Sequence, residues 1–351
     1  MKIVLTGGGT AGHVVPNLAL IPYLKNYFNE VYYIGSTNGI ENQLVTDLPF
    51  YTIDCVKFVR KSITKNLAIP VKLIKSVNQS KKILKDIKPD VVFSKGGYVG
   101  LPVVIASKKL GIPAIGHESD ITVGLANKIS SKYTTEILTS FKPTATKIAN
   151  GRYVGPPLKD GLSDYPKTKA RLEFNFTENK PVLFVFGGSL GAKALNDAVK
   201  NNLLALLKKY NVLHITGKNG YDGKIKAVGY TELPYLNDMA KGYSVADVVV
   251  SRCGSNSAFE IISLKKPVVF VPLPKGVSRG DQELNANYFK TLNLCTVLDE
   301  TNLNGTALLS AIEQAINLNK NQSINTFTID NANKKIAEIL YQTAIKTKKA
   351  L

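Results

Sequence analysis

An alternation of short apolar runs with longer amphipathic segments constrains the fold of this chain most strongly. Short buried strands are predicted for KIVLT, VYYIGS, DVVFSKG and PAIGH, with segments of helical periodicity between them. The pattern begins again at PVLFVFGGS and continues through VLHITG, DVVVSR and PVVFVPL. Such alternation is typical of β-α-β units, in which helices cover both faces of a parallel sheet. We therefore predict an α/β chain with two doubly wound, Rossmann-like domains.

A segment rich in glycine and proline lies between the two halves. NGRYVGPPLKDGL, residues 150–162, contains three glycines and two prolines and is the best linker candidate. In open α/β sheets, ligands bind in the crevice outside the carboxyl ends of the strands. We therefore look for functional residues in the turns that follow the predicted strands.

The chain is strongly basic, with a formal net charge of +19 over 351 residues. This charge suits an anionic partner, either nucleic acid or a phospholipid surface, although a general lysine bias explains it equally well. No nucleic-acid-binding signature is present, so we do not expect nucleic acid. The three cysteines form neither a disulfide framework nor a metal-binding pattern, and no signal peptide or membrane span is evident. A reducing, cytoplasmic location is expected.

Four glycine-rich turns follow predicted strands, and the first reads G-x-G-x-x-G at residues 7–12. A nicotinamide dinucleotide site would also need an acidic residue at the end of the second strand. Here that strand ends in Gly35 and Ser36, and the nearby acid Glu30 comes before the strand rather than after it. The first turn is therefore predicted to hold phosphate. The other turns lie in SKGGYVGLP, FGGSLGAKALN and SRCGSNSAFE. Together they predict two phosphorylated ligands facing each other across a cleft.

Two side chains beside these turns are candidates for chemistry. His13 lies where the first turn meets a helix, so it is predicted to be a general base or a hydrogen-bond donor to phosphate. The alternative is a helix-capping or packing role. Glu260 is predicted to lie on the first turn of a helix that Ser255 or Ser257 can cap. Its carboxylate either stabilises that helix or accepts hydrogen bonds from a ribose. No D-x-D triplet or metal-spaced cluster occurs, so no metal and no cofactor are expected.

Six motifs extend this interpretation. In chain order they are GGGTAGHVVPNLAL, SKGGYVGLPVVIA, HESDITVGLANK, GGSLGAKALN, SRCGSNSAFE and SRGDQELNA. In order and spacing they resemble the MurG family, glycosyltransferase family 28, from residue 3 to about residue 300. The resemblance implies a GT-B fold with two domains facing across a cleft and an inverting, metal-independent reaction.

The resemblance also implies a reaction and its setting. N-acetylglucosamine would pass from UDP-N-acetylglucosamine to the 4-hydroxyl of the N-acetylmuramyl sugar of lipid I, giving lipid II for peptidoglycan. The protein would act as a peripheral protein on the cytoplasmic face of the cell membrane, with cell-wall synthesis proteins as further partners. Two alternatives stay open: a related GT-B lipid glycosyltransferase with a diacylglycerol acceptor, and a non-enzymatic basic binding module.

Domain roles follow from the same resemblance. Residues 1–157 would bind the acceptor and the membrane, and a helix at about 330–351 would pack back on them. Residues 158–329 would bind UDP-N-acetylglucosamine.

Individual residues are assigned by matching the motifs. His13 is the expected catalytic base, with Glu118 in reserve. The acceptor diphosphate is assigned to Gly8, Gly9, Gly96, Gly97 and Tyr98. The donor is assigned to Thr10, Gly12, Asn127, Ser189, Arg252, Gly254, Ser255, Glu260, Gln282 and Asn285. Four positions depart from the pattern common in the family, namely Ala11, Pro156, Lys159 and Leu190.

The segment from Lys57 to Lys88 carries ten basic residues and one acid. Apolar and basic residues interleave at its start, and the predicted membrane patch consists of Phe58, Val59, Lys61, Ile63, Lys65 and Leu67. Apolar side chains can enter the interface of an anionic membrane while lysines bind its headgroups. The alternative is an ordinary solvated lysine face over a covered loop.

Overall fold

The chain divides into two compact units. A computed structural model describes residues 1–55, 69–177, 179–188, 191–276, 280–320, 327–329 and 331–350. The N-terminal unit comprises Met1–Lys159 and Asp330–Leu351, and the C-terminal unit comprises Asp160–Ile329. The division falls two residues after the expected limit at 157. All six predicted membrane-patch residues, and both Ser189 and Leu190, lie outside the described residues.

A parallel sheet forms the centre of the N-terminal unit. Its strands are β1 (Lys2–Thr6), β2 (Glu30–Ser36), β3 (Phe50–Ile53), β4 (Val91–Ser94), β5 (Ala114–Glu118), β6 (Glu136–Thr139) and β7 (Gly151–Tyr153). Within the described ranges they take the order β3-β2-β1-β4-β5-β6-β7. The linker prediction is therefore wrong in its first part, because Gly151–Tyr153 pairs with β6 as the last strand of the sheet.

Helices cover both faces of this sheet. They are α1 (Ala11–Leu24), α2 (Glu41–Leu44), α3 (Ile69–Ile87), α4 (Gly97–Lys109), α5 (Leu125–Ser130) and α6 (Lys142–Ala145). Side chains alternate between the faces along β1: Ile3 and Leu5 pack in a cluster with α1, whereas Val4 packs with α3 and α4. Burial on both faces is expected of a parallel sheet and accounts for the continuous apolar runs in the sequence.

The C-terminal unit repeats this architecture. Its strands are β8 (Val182–Phe186), β9 (Asn211–Ile215), β10 (Tyr230–Leu233), β11 (Val248–Ser251), β12 (Val268–Phe270) and β13 (Thr296–Val297). The described strands lie in the order β10-β9-β8-β11-β12-β13, and their recorded pairings are parallel. This is the strand order of a dinucleotide-binding Rossmann sheet. The α/β prediction of two Rossmann-like domains is confirmed.

The helices of the C-terminal unit also lie on two faces. They are α7 (Lys167–Glu173), α8 (Lys193–Asn201), α9 (Leu203–Leu207), α10 (Met239–Val245), α11 (Ser255–Ser263), α12 (Asp281–Thr291) and α13 (Gly305–Lys320). Leu183 and Val185 of β8 share a cluster with α8, α9 and α13. The alternate residues Phe184 and Phe186 contact the ring of Tyr243 from α10.

The final helix, α14 (Asn333–Ala350), returns to the N-terminal unit. Ile336 and Leu340 are buried in the same cluster as α1, and the ring of Tyr341 lies 4.8 Å from that of Tyr27. The Asn333 side chain donates a 2.7 Å hydrogen bond to the carbonyl of Leu158. Of the helices in the described part of the chain, none is both long and apolar enough to cross a membrane.

Candidate active site

Three loops of the N-terminal unit meet at the carboxyl edge of its sheet. They follow β1, β4 and β5, which are neighbours in the sheet order. The order reverses between β1 and β4, because β2 and β3 lie to one side of β1 and β5 to β7 lie beyond β4. Such a switch point is where open α/β sheets bind ligands.

A buried carboxylate supports the first glycine loop. Glu41, at the start of α2, is fully buried and accepts hydrogen bonds from the backbone of Gly9 at 3.0 Å and from the backbone of Ser36 at 2.8 Å. The Ser36 hydroxyl donates a third bond at 2.5 Å. Sequence reasoning named Glu30 as the nearby acid and missed Glu41, which follows β2 by five residues and reaches back across the edge.

The charge of Glu41 bears on the predicted phosphate cradle. Burial favours a raised pKa, but the Ser36 hydroxyl and the Gly9 and Ser36 amides outweigh it, so the pKa of Glu41 lies below its usual range. The carboxyl group is therefore ionised at neutral pH. A phosphate at the Gly9 amide would compete with this negative charge, so the geometry disfavours the predicted phosphate contact at Gly9.

The second glycine loop packs directly on the first. Gly9 adopts φ +81°, and a Cβ there would lie 2.4 Å from the Tyr98 ring. Gly97 adopts φ +77°, and its added Cβ would lie 3.1 Å from the Gly8 carbonyl oxygen and 3.6 Å from the His13 ring. Only glycine satisfies both the backbone angle and the spacing at these positions. The structure thus brings His13, Gly8, Gly9, Gly97 and Tyr98 together.

His13 lies on the first turn of α1 and is half-buried. Its Nδ1 lies 2.9 Å from the Thr10 hydroxyl oxygen. If Nδ1 carries the ring hydrogen and donates it to Thr10, then Nε2 keeps the lone pair that a general base needs. The Thr10 hydroxyl therefore orients the His13 ring, whereas the sequence predicted a contact between Thr10 and the donor.

Glu118 ends β5 and is almost completely buried. Its Oε1 accepts the Asp120 amide at 3.1 Å, and its Oε2 accepts the Gly124 amide and the Asn127 side chain, each at 2.9 Å. Burial, assisted by the charge of Asp120, raises the pKa of Glu118 despite these donors. Three internal donors favour a positioning role for Glu118 over the predicted reserve base.

Asn127, a predicted donor contact on α5, is also buried. Its amide nitrogen donates to the His117 carbonyl as well as to Glu118, and the side chain packs against Gly96. Gly12, another predicted donor contact, is exposed on the first turn of α1. Ala11 begins α1 without a positive φ, so alanine in place of glycine causes no backbone strain there.

A lysine without a predicted role lies behind these loops. Lys95 is almost fully buried, and its ammonium nitrogen lies 2.7 Å from His117 Nδ1 and contacts the Ser119 hydroxyl. Burial lowers the pKa of Lys95 to about 7, although Glu118 and Asp120 oppose that change. Burial and the Lys95 charge also hold the pKa of His117 well below its usual value. His117 is therefore neutral, and its Nδ1 accepts from Lys95.

The C-terminal unit holds the predicted donor residues. Glu260 lies on the second turn of α11, not on the first as predicted, and it accepts a 2.7 Å hydrogen bond from the hydroxyl of Tyr243. The predicted serine cap is also wrong: Gly254 occupies the cap position, and no side chain caps the helix. A Cβ at Gly254 would meet nothing within 4 Å, so the start of α11 borders open space. Ser255, its first residue, is buried.

Other predicted donor residues serve the fold. The Arg252 guanidinium contacts Glu300 and donates at 3.1 Å to the carbonyls of Val271 and Pro272. Asn285 is fully buried and donates to the Cys253 carbonyl at 3.3 Å, which does not fit its predicted contact with the donor. Gln282 is half-buried, and its side-chain oxygen accepts the Leu273 amide at 3.0 Å.

In the part of the chain that the structure describes, no group of three or more His, Cys, Asp or Glu side chains is arranged to hold a metal ion. The amino-terminal ends of two helices, which carry partial positive charge, lie at the edges of the two sheets. α4 begins at Gly97 and α11 at Ser255, so their amino-terminal backbone amides lie at the carboxyl edges of the two sheets.

Comparison with known proteins identifies both halves of the chain. The Glycosyltransferase family 28 N-terminal domain matches residues 3–139, and the Glycosyltransferase family 28 C-terminal domain matches residues 182–340. A protein of Clostridium perfringens (strain SM101 / Type A) is 41% identical over 352 residues, covering 98% of each chain. It is named UDP-N-acetylglucosamine--N-acetylmuramyl-(pentapeptide) pyrophosphoryl-undecaprenol N-acetylglucosamine transferase.

Two further comparisons agree. A protein of Lachnospira eligens with the same name is 44% identical over 319 residues, covering 89% of this chain and 90% of its own. The crystal structure of MurG from Acinetobacter baumannii matches with a TM-score of 0.72 and 25% identity, over 97% of this chain and 99% of that one. These similarities confirm the predicted GT-B class.

We expect Glu41→Gln to lower the free energy of unfolding by about 2 kcal/mol at neutral pH, because the new amide turns a donor toward buried donors. Urea unfolding measures this, with the exposed Glu30→Gln as the control, expected within about 0.5 kcal/mol of wild type. Since folding lowers the pKa of Glu41, its charge stabilises the fold fully above the ordinary carboxylate pKa of about 4.3. That contribution is lost as the pH falls through the lowered value. Equal stability of wild type and Glu41→Gln at neutral pH would contradict the assignment.

Proposed function

The chain belongs to glycosyltransferase family 28, and from this premise we propose that it transfers N-acetylglucosamine from UDP-N-acetylglucosamine to lipid I. Lipid I is the undecaprenyl-diphosphate carrier of an N-acetylmuramyl-pentapeptide. The observation that carries the proposal is 41–44% identity, over 89–98% of this chain, to relatives named for this transfer. In this proposal His13 is the base that takes the acceptor proton, and Glu260 helps to bind the donor nucleotide.

The proposed reaction is a single displacement with inversion. The 4-hydroxyl of the muramyl sugar attacks the anomeric carbon of the donor sugar while the bond to UDP breaks. His13 Nε2 takes the hydroxyl proton, and Thr10 holds the ring through Nδ1. UDP leaves with the electrons of the broken bond, so its diphosphate gains negative charge that preorganised donors stabilise.

The C-terminal unit is the proposed donor site. Glu260 would accept hydrogen bonds from the ribose hydroxyls while Tyr243 fixes its orientation. The amino-terminal amides of α11 border open space and would receive the diphosphate of UDP. Arg252 supports the loop after β12 through two carbonyls and Glu300, so its proposed contribution to the donor site is indirect.

The N-terminal unit is the proposed acceptor site. The proposed anion-binding site is the start of α4, where Gly97 and Tyr98 would contact the acceptor diphosphate. Gly96 would lie beside it, because its own amide donates to the Ser94 hydroxyl at 3.2 Å. Glu41 disfavours phosphate at Gly9, so the first loop would position His13 and support Tyr98. No cofactor takes part in the proposed mechanism.

Peripheral binding to the cytoplasmic face of an anionic membrane is part of the proposal. Val71 and Ile74 of α3 are 71% and 63% exposed. The basic residues Lys81, Lys82 and Lys85 follow on the same helix. Apolar side chains flanked by lysines suit the headgroup region of anionic lipids.

Release of UDP from UDP-N-acetylglucosamine tests the reaction class and the acceptor together. Release should require a short-chain lipid I analogue and should be unchanged by EDTA. A diacylglycerol acceptor and a no-acceptor reaction serve as comparisons. Tight UDP binding with release only in the presence of diacylglycerol would overturn the proposed acceptor, and failure to bind UDP would overturn the enzyme assignment.

His13→Ala should lower kcat at least about 100-fold, because general-base assistance contributes roughly 10²–10⁴ in rate. The affinity for UDP should stay near that of wild type, since His13 belongs to the N-terminal unit. Steady-state kinetics and UDP titration measure the two effects. A kcat of His13→Ala near that of wild type would exclude His13 as the base.

The reverse pattern is expected for Glu260→Gln, which should mainly raise the KM for UDP-N-acetylglucosamine.

Val71→Ser combined with Ile74→Ser should weaken binding to anionic vesicles roughly tenfold, because two exposed apolar side chains leave the interface. Flotation measures the bound fraction, and turnover of a water-soluble acceptor should not change. Leu204→Ser is the matched control, since Leu204 is 82% exposed in the C-terminal unit. Equal flotation of the double variant and wild type would reject α3 as a membrane contact.

A further inference from the structure

A pocket of about 350 Å³ lies beside the second glycine loop in the N-terminal unit. The ends of β2 and β3, the first turns of α3 and the start of α4 contribute its walls. The lining residues are Ser36, Thr37, Asn38, Asp54, Cys55, Lys72, Lys75 and Tyr98. The volume is at the lower end of the range for small-ligand sites, and the lining is polar and charged.

Two of the charged side chains that line this pocket, Asp54 and Lys75, form an ion pair with each other. Asp54 is paired with Lys75 at 2.8 Å and also accepts from Gln79 at 3.1 Å and from Thr37 at 3.2 Å. The hydrogen bond from Lys75 is the main cause of the lowered pKa of Asp54. Lys72 has no acidic partner among the residues that the structure describes, so its ammonium group is available to a ligand.

The balance of charge argues against a diphosphate as the occupant. Lys72 and Lys75 supply two positive charges, Asp54 supplies one negative charge, and Glu41 lies close enough to help raise the pKa of Cys55. Among the residues that the structure describes around the pocket, no net positive charge therefore remains to neutralise a diphosphate. Hydroxyl groups, an amide, a phenol and charges of both signs instead suit a peptide, which offers amides, carbonyls and ionised ends.

We propose that this pocket receives the peptide of the acceptor, with Lys72 pairing to a peptide carboxylate. The inference rests on the proposed function, whose acceptor carries its peptide and its diphosphate on the same sugar. Tyr98 belongs both to the pocket and to the start of α4, where the diphosphate is proposed to bind. The two substituents of one sugar would therefore occupy neighbouring sites with Tyr98 as their common wall.

Two short-chain lipid I analogues test this assignment, one with the pentapeptide and one with a methylamide in its place. Lys72→Met should lower kcat/KM about tenfold for the pentapeptide acceptor and leave the methylamide acceptor unchanged, because a charge-assisted bond to the peptide is lost. Thr37→Val should act in the same direction. Lys109→Met is the matched control, since Lys109 is an exposed lysine at the far end of α4.

Each other outcome overturns the assignment. An equal loss for both acceptors would show that the pocket holds the shared sugar or diphosphate. No loss for either acceptor would show that the pocket is not used. Failure of the proposed function is distinguishable, because wild-type protein would then transfer sugar to neither analogue.

Discussion

Parallel strands that end at one edge of a sheet determine where the chemistry of this chain lies. The apolar runs are buried on both faces, so side chains with polar functions are confined to the turns at the strand ends. In the N-terminal unit this constraint gathers His13 from the start of α1, Tyr98 from the start of α4 and Glu118 from the end of β5. In the C-terminal unit it places the start of α11 directly after β11. The same architecture therefore provides two helix amino-termini that suit phosphorylated ligands.

Within the N-terminal unit, the buried Glu41 carboxylate links the loop after β1 to the end of β2 through hydrogen bonds. It fixes the Gly9 amide and Ser36, and Gly9 in turn supports the Tyr98 ring. A glycine-rich loop is usually interpreted as a site for an external anion, yet this one already holds an anion of its own chain. In the proposed site, phosphate therefore binds at the start of α4, and the first loop positions His13. A loop motif alone does not distinguish these two uses.

The sequence was sufficient for the fold because its apolar runs have the lengths and spacing that buried parallel strands require. The sequence-based prediction was wrong at Gly151–Tyr153. This segment has the composition of a linker but adds an edge strand, because its pairing depends on β6 and not on local propensity. Motif matching named His13, Tyr98 and Glu118 at the N-terminal edge and Ser255 and Glu260 at the C-terminal edge. It could not separate ligand contacts from supports: Arg252 and Asn285 turn inward to backbone carbonyls. Glu41 and Lys95 were missed because burial and partners, which composition does not encode, give them their roles.

The linkage in the product tests the central claim most directly. The full chain would be incubated with UDP-N-acetylglucosamine and a short-chain lipid I analogue, and the purified product examined by nuclear magnetic resonance. The account predicts one added N-acetylglucosamine on the 4-hydroxyl of the muramyl sugar in the β configuration, inverted from the α-linked donor. An α linkage would contradict the single displacement assisted by His13. A different acceptor position, or no sugar transfer, would contradict the proposed function itself.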